Sequence, residues 1–152
     1  MDRSVRFRLV LAAPVLGAIY FYLLLFLIGW TSAGAWPSWW MGSFPNRRIA
    51  ALVWIVGTHT IGVCAAAIPV AVAAVLILRE RAMLLGTIAG GIATSLAVLS
   101  SLTPDIWPLV WSSHPIFFVT DQIKLLIAIP AIIWVIRTIL SHNRLPTAAS
   151  HR

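Results

Sequence analysis

The chain has 152 residues, of which 61% are hydrophobic and 10% are charged, and its formal net charge is +7. Soluble domains average about 45–50% apolar and about 25% charged residues, so this composition excludes a water-soluble globular protein. The positive charge does not indicate a nucleic-acid partner, because the basic residues are scattered at the ends of apolar segments and do not cluster with aromatic residues. The sequence therefore predicts a polytopic membrane protein whose basic residues meet anionic lipid headgroups of the bilayer.

Four apolar segments are long enough to cross a bilayer, which needs about 20 residues. They cover residues 9–30, 49–78, 82–102 and 121–140. Trp-rich outer loops occupy residues 31–48 and 103–120, and no connection is long enough for a folded aqueous domain. We therefore predict an all-α fold, a four-transmembrane-helix bundle that forms a single membrane domain over residues 1–152.

The basic residues are divided unequally between the two sides of the predicted bundle. With four spans, both termini share one side with the loop at 79–81. That side holds eight of the eleven lysines and arginines, and the other holds Arg47, Arg48 and Lys124. Because cytoplasmic segments retain an excess of Lys and Arg, we expect both termini to be cytoplasmic, in a bacterial inner membrane. We expect the first segment to be a retained anchor, because cleavable signals have shorter apolar regions of about 7–15 residues.

Most tryptophans fall in or beside the predicted outer loops. Indole prefers the headgroup level of a bilayer, with its apolar body in the membrane and its N–H toward water. We expect five tryptophans to anchor the outer surface at this level: Trp36, Trp39, Trp40, Trp107 and Trp111.

Small residues and one histidine mark candidate helix interfaces on the second and third segments. Small residues let helix backbones approach closely, which drives association in lipid. Three candidate interface residues recur at helical spacing on the second segment: His59, Gly62 and Ala66. On the third segment the candidates are the Gly-xxx-Gly pair Gly86 and Gly90, with Gly91 next to it. This pattern turns His59 toward protein, where we expect a hydrogen bond to a hydroxyl such as that of Thr94 or Ser95. A proton-relay or ligand-binding role for His59 is the alternative.

Charged residues near the fourth segment form a possible polar site at the outer face: Asp105, His114, Asp121 and Lys124. Asp121 and Lys124 are three residues apart and share one helical face. If the helix begins with Thr120 as its N-cap, both charges lie at the outer interface, and Asp121 is in the first turn. If the helix begins near Ile116, the pair enters the outer leaflet and must neutralise itself or serve an ion or proton path.

The sequence offers little catalytic chemistry. It contains no GxSxG, HExxH or paired-carboxylate signature, and a single cysteine excludes an internal disulfide or a thiolate metal cluster. We predict no catalytic residue, no metal and no cofactor, and we do not predict an enzyme.

Two functional classes are left for a chain of this kind. The first is a small integral membrane protein that acts through helix–helix contacts with another membrane protein or with copies of itself. It would be an accessory subunit of a membrane complex or an immunity-type protein, because four spans with short outer loops resemble the architecture of immunity proteins against pore-forming bacteriocins. The alternative is a small transporter or transporter subunit that moves a small solute or a proton.

Overall fold

The computed structural model describes residues 3–32, 37–105, 108 and 115–142. The helices in chain order are α1 (Arg3–Ser32), α2 (Ser38–Gly42), α3 (Arg47–Ile77), α4 (Ala82–Ser101) and α5 (Pro115–His142), with a short 3-10 turn at Arg79–Arg81. Four of them, α1, α3, α4 and α5, are long and apolar enough to cross a membrane. The predicted all-α bundle of four transmembrane helices is confirmed, and the described residues contain no strand.

The helices extend beyond several of the predicted boundaries. α1 begins at Arg3 and α5 at Pro115, and each helix continues without interruption through its internal proline. Proline suits the first turn of a helix, because its φ angle is already helical and its missing N–H has no partner there. Of the two alternatives for α5, the earlier start is therefore the observed one, and Asp121 lies in the second turn instead of the first.

The four long helices run alternately up and down and form a four-sided bundle. α1 packs against α3 and α4, α5 packs against the same two helices, and α3 also meets α4 across the centre. Consequently α3 and α5 are neighbours that run in the same direction, as are α1 and α4. This arrangement decides which polar side chains of α3 and α5 meet.

The centre of the bundle is filled by large apolar side chains and one tyrosine. The largest fully buried side chains are Tyr20, Leu85, Ile129, Ile133 and Val70. In contrast, the outer faces expose many large apolar residues, such as Phe26, which is 70% exposed, and Leu76, which is 80% exposed. A soluble protein rarely leaves such continuous apolar surface in water, so these faces are suited to lipid.

The two ends of the bundle differ in composition, and we name them by that difference. The arginine end carries Arg3, Arg6, Arg8, Arg79 and Arg81, and the tryptophan end carries Trp39 and Trp40 of α2. Trp40 attaches α2 to α3, because its Nε1–H donates to the Ala50 carbonyl at 3.0 Å and its ring packs edge-on against Trp54 at 5.4 Å. The cytoplasmic location of the arginine end stays a prediction.

Candidate functional site: a charged cluster between α3 and α5

Three ionisable side chains meet between α3 and α5 toward the tryptophan end, and we call them the charged cluster: His59, Asp121 and Lys124. His59 Nδ1 lies 3.3 Å from Asp121 Oδ2, and Lys124 Nζ donates to Asp121 Oδ1 at 3.0 Å. Each carboxylate oxygen thus has one partner, one within α5 and one from α3. The cluster joins two helices that are far apart in the sequence.

Local structure explains how α5 presents its two charges. Because α5 begins at Pro115, Asp121 is preceded by about one and a half turns of helix, and Lys124 follows three residues later on the same side. α3 brings His59 to the same level because the two helices are parallel neighbours. Because α5 begins at Pro115, Asp121 and Lys124 lie further from the end of the helix than a start at Thr120 would place them.

The cluster lies within the apolar part of the bundle. Apolar residues continue beyond it toward the tryptophan end on three of the long helices: 49–57 of α3, 96–99 of α4 and 115–119 of α5. Between Lys124 and Arg137 no residue is charged, and that stretch rises by about 20 Å, less than the ~30 Å thickness of a bilayer core. The two charged regions of α5 therefore cannot both lie outside the hydrocarbon. With Arg137 at one interface, the charged cluster would lie inside it.

The cluster is open on one side in the single chain. The side chains of His59 and Asp121 are 27% and 31% exposed, and that of Lys124 is 22% exposed. In a bilayer this exposed fraction faces lipid, a partner helix or a water-filled opening. Charged groups at such depth pair with one another or face protein or water, and they mark functional sites by default.

The hydrogen-bond donors and acceptors of the three groups determine which hydrogen bonds and protons the cluster can accept. A neutral His59 with its proton on Nδ1 donates to the carboxylate and keeps Nε2 free to accept a hydrogen bond. With Lys124 protonated and Asp121 ionised, the cluster is then neutral. Protonation of His59 changes its charge to +1 and converts Nε2 into a donor. The arrangement can therefore accept a hydrogen bond from a neighbouring group or take up one proton.

The hydroxyl partner expected for His59 is wrong. Ser95 Oγ donates to the Gly91 carbonyl of its own helix, and Thr94 Oγ1 is buried without a hydrogen-bond partner in the described part of the chain. The reason is the position of α4, which meets α3 across the centre of the bundle, whereas α5 lies beside α3. An acid on α5, and not a hydroxyl on α4, is within reach of the imidazole.

The other members of the predicted outer polar site are not brought to this pair in the described residues. Asp105 is exposed in the turn after α4. His114 lies outside the described residues, as do Trp36, Trp107 and Trp111. Trp39, at 67% exposed, and Trp40 form the aromatic contact of α2 at the tryptophan end.

The predicted interface residues face different neighbours. A methyl group added at Gly86 would lie 2.9 Å from Ile129 Cγ2, and one at Gly90 would lie 3.1 Å from the Leu126 carbonyl oxygen, so both glycines pack tightly on α5. On α3, Ala66 is buried and Gly62 lies near Leu27 of α1. Gly91 has nothing within 4 Å of such a methyl group. The tight glycine contacts of α4 are thus made inside the bundle.

Two features of the structure were not predicted. Gly17 brings α1 against α4, since a methyl group there would lie 2.8 Å from Ile92 Cβ and 2.9 Å from the Ala89 carbonyl oxygen. Three polar atoms are also buried without a hydrogen-bond partner in the described residues: Tyr20 Oη, Thr94 Oγ1 and Gln122 Oε1. Because Gly90 lies against Leu126 and the two helices are antiparallel, Thr94 and Gln122 come to the same level one turn toward the tryptophan end.

No protein-family model, curated protein or solved structure matches this chain. Within the described residues, no group of three or more His, Cys, Asp or Glu side chains could hold a metal ion.

Proposed function

We propose that this integral membrane protein is an accessory subunit of a larger membrane complex and that it binds its partner through the face of α3 and α5 that carries the charged cluster. The observation that supports this proposal is the combination of partial exposure and membrane depth. Asp121 is 31% exposed, and apolar residues of α3, α4 and α5 continue beyond it toward the tryptophan end. An immunity-type protein that binds a pore-forming partner would use the same face in the same way.

The energetics favour a protein neighbour over lipid at this face. Insertion of an Asp or Lys at the centre of a transmembrane helix costs about 2.5–3.5 kcal/mol, and pairing within the cluster offsets only part of that cost. A polar side chain from a partner helix can complete the remaining hydrogen bonds, and such interhelical bonds contribute about 0.6 kcal/mol on average. Lipid tails offer no such partner.

The glycine contacts of α4 leave this face as the candidate partner surface. Gly86 and Gly90 are covered by α5, so they contribute to the bundle's own stability and are not free for another protein. The proposed complex lies in a bacterial inner membrane with the arginine end in the cytoplasm, because cytoplasmic segments retain Lys and Arg.

Site-specific photocrosslinking in the native membrane tests the proposal. A photoreactive residue at Thr60 or Thr120, the exposed neighbours of His59 and Asp121, should crosslink to one defined membrane protein. The same probe at Tyr22 of α1, which is 69% exposed on another helix, is the matched control and should give no such product. Asp121→Asn should remove the crosslink at both test positions. Equal crosslinking from Tyr22, or a crosslink that survives Asp121→Asn, would contradict the assignment of this face.

The unpartnered buried polar atoms favour a second candidate, the movement of a proton or a small polar solute. Buried polar groups are normally satisfied by protein or by ordered water. Water between Thr94 and Gln122 would hydrate the bundle at one level in its tryptophan half, and His59 can take up a proton in that same half. Proton flux into proteoliposomes, measured with an enclosed pH-sensitive dye, tests this function. It requires wild-type flux above that of empty liposomes and loss of that flux in His59→Leu.

A further inference from the structure

Two grooves flank Arg137 at the arginine end of the bundle. The first has a volume of about 210 Å³ and is lined by Val75, Arg79, Arg137, Leu140 and Ser141. The second has a volume of about 370 Å³ and is lined by Met83, Trp134, Arg137, Thr138 and Ser141. The end of α5 thus stands away from α3 on one side and from α4 on the other, with Arg137 between the two openings.

The first groove gathers positive charge from two separate elements. Arg79 comes from the turn after α3 and Arg137 from α5, and neither forms an ion pair within the described residues. Glu80, the one acid that the described residues place at this end, is exposed and pairs with neither arginine. Two uncompensated guanidinium groups at one groove suit a phosphate, which each can bind through two parallel hydrogen bonds.

The parallel register of α3 and α5 places the two arginines at different depths. His59 and Asp121 pair across these parallel helices and are 62 residues apart in the chain. The same difference in residue number places Val75 level with Arg137 and Arg79 level with Ser141. Arg79 therefore lies about one helical turn, or 5–6 Å, closer to the end of the bundle. A phosphate at headgroup level could contact both arginines, one from each side.

The remaining walls of both grooves distinguish a lipid from a free anion. Val75 and Leu140 line the first groove, and Met83 and the 63% exposed Trp134 line the second. A free phosphate ion gains nothing from these apolar side chains, whereas acyl chains bury surface against them. Tryptophan at this level is also typical of the membrane interface.

We propose that the arginine end holds a binding site for an anionic phospholipid, with its phosphate between Arg79 and Arg137 and its acyl chains in the two grooves. This site is independent of the charged cluster, which lies in the other half of the bundle, toward the tryptophan end. Basic pockets between transmembrane helices recognise anionic headgroups in this way.

Native mass spectrometry of the full-length protein released from nanodiscs tests the site. The nanodiscs contain equal amounts of phosphatidylglycerol and phosphatidylcholine, and the wild type should retain phosphatidylglycerol selectively. Arg79→Gln and Arg137→Gln should each lower the retained fraction about five-fold, the factor expected for one basic residue near an anionic surface. Arg81→Gln is the matched control, because Arg81 belongs to the same turn as Arg79 but lines neither groove, and it should retain lipid as the wild type does.

The competing outcomes are distinguishable. Equal loss of lipid in Arg81→Gln, or equal retention of the two phospholipids by the wild type, would overturn the site in favour of a diffuse surface charge effect. Displacement of the lipid by millimolar inorganic phosphate would show a phosphate site that does not require acyl chains and would overturn the lipid assignment. Arg137→Lys keeps the charge and should retain lipid better than Arg137→Gln, which separates loss of binding from loss of folding.

Discussion

His59 Nδ1 and Asp121 Oδ2 lie 3.3 Å apart although 62 residues separate them in the chain. This contact sets the register of α3 against α5, because a shift of one turn would move the two groups about 5.4 Å apart along the bundle axis. Apolar contacts alone specify register weakly in a bilayer, where lipid tails resemble apolar side chains. A polar contact at one level specifies the register of the two helices more strongly, so the cluster also contributes to the folding of the chain.

Asp121→Asn should lower the free energy of unfolding by about 2 kcal/mol, because Lys124 then remains in the hydrocarbon without its counter-charge. Equilibrium unfolding of the detergent-solubilised protein with increasing SDS measures this change.

Two further variants control the Asp121 experiment. Asp121→Asn combined with Lys124→Gln should recover part of the lost stability, because the uncompensated charge is gone. Asp105→Asn removes an exposed carboxylate in the turn after α4 and should leave the unfolding curve unchanged. If Asp121→Asn unfolds at the same SDS fraction as the wild type, the cluster is solvated and does not lie in the apolar layer.

The contact between His59 and Asp121 shows what could be predicted from the sequence. Composition and segment length predict four membrane helices, and the spacing of His59, Gly62 and Ala66 predicts a protein-facing stripe. These patterns cannot identify the neighbouring helix, because a helical face is local while the order of helices in a bundle is not. One feature of the sequence could have indicated this pairing. Counted from the arginine end, His59 and Asp121 lie at similar heights on helices that run in the same direction. The unpredicted role of Gly17 has the same cause, since its partner Ile92 belongs to a helix 65 or more residues later in the chain.

Gly17→Ala should destabilise the bundle by about 1–3 kcal/mol, because the added methyl group would meet the Ala89 carbonyl oxygen at 2.9 Å and the backbone must move. Gly90→Ala should destabilise it less, since its closest approach, to the Leu126 carbonyl oxygen, is 3.1 Å. SDS unfolding curves of the two variants give the comparison.

Gly91→Ala is the matched control for both glycine variants. It lies next to Gly90 on α4, has nothing within 4 Å of the added methyl group, and should gain up to about 1 kcal/mol from helix propensity. A loss of stability in Gly91→Ala similar to that in Gly17→Ala would show that the glycines act through flexibility of the helices and not through close packing.

Trp40→Phe should weaken the attachment of α2 to α3 by about 1 kcal/mol, because it removes the hydrogen bond from Nε1 to the Ala50 carbonyl and keeps an aromatic ring beside Trp54. Limited proteolysis between α2 and α3 in nanodiscs measures the opening of this segment. Trp39→Phe, at a 67% exposed position, is the control and should be cut at the wild-type rate. Equal cleavage of the two variants would mean that lipid, and not the hydrogen bond, holds α2 in place.

Tyr20→Phe distinguishes a dry bundle from a hydrated one, and with it the two candidate functions. The Tyr20 side chain is fully buried, and its hydroxyl has no hydrogen-bond partner in the described residues. In a dry bundle, removal of the hydroxyl should raise the free energy of unfolding by about 1 kcal/mol, because an unpaired polar group no longer has to be buried. This is the result we expect for an accessory subunit. SDS unfolding of the wild type and the variant measures it.

Tyr22→Phe is the matched control, since Tyr22 is on the same helix but 69% exposed, and its stability should stay at the wild-type value. A loss of stability in Tyr20→Phe alone would mean that water reaches the centre of the bundle and bonds the hydroxyl there. Such water would connect the buried hydroxyl of α1 with the polar groups of α4 and α5, which a proton or solute path requires and a packing subunit does not. That outcome would therefore favour transport over the accessory role.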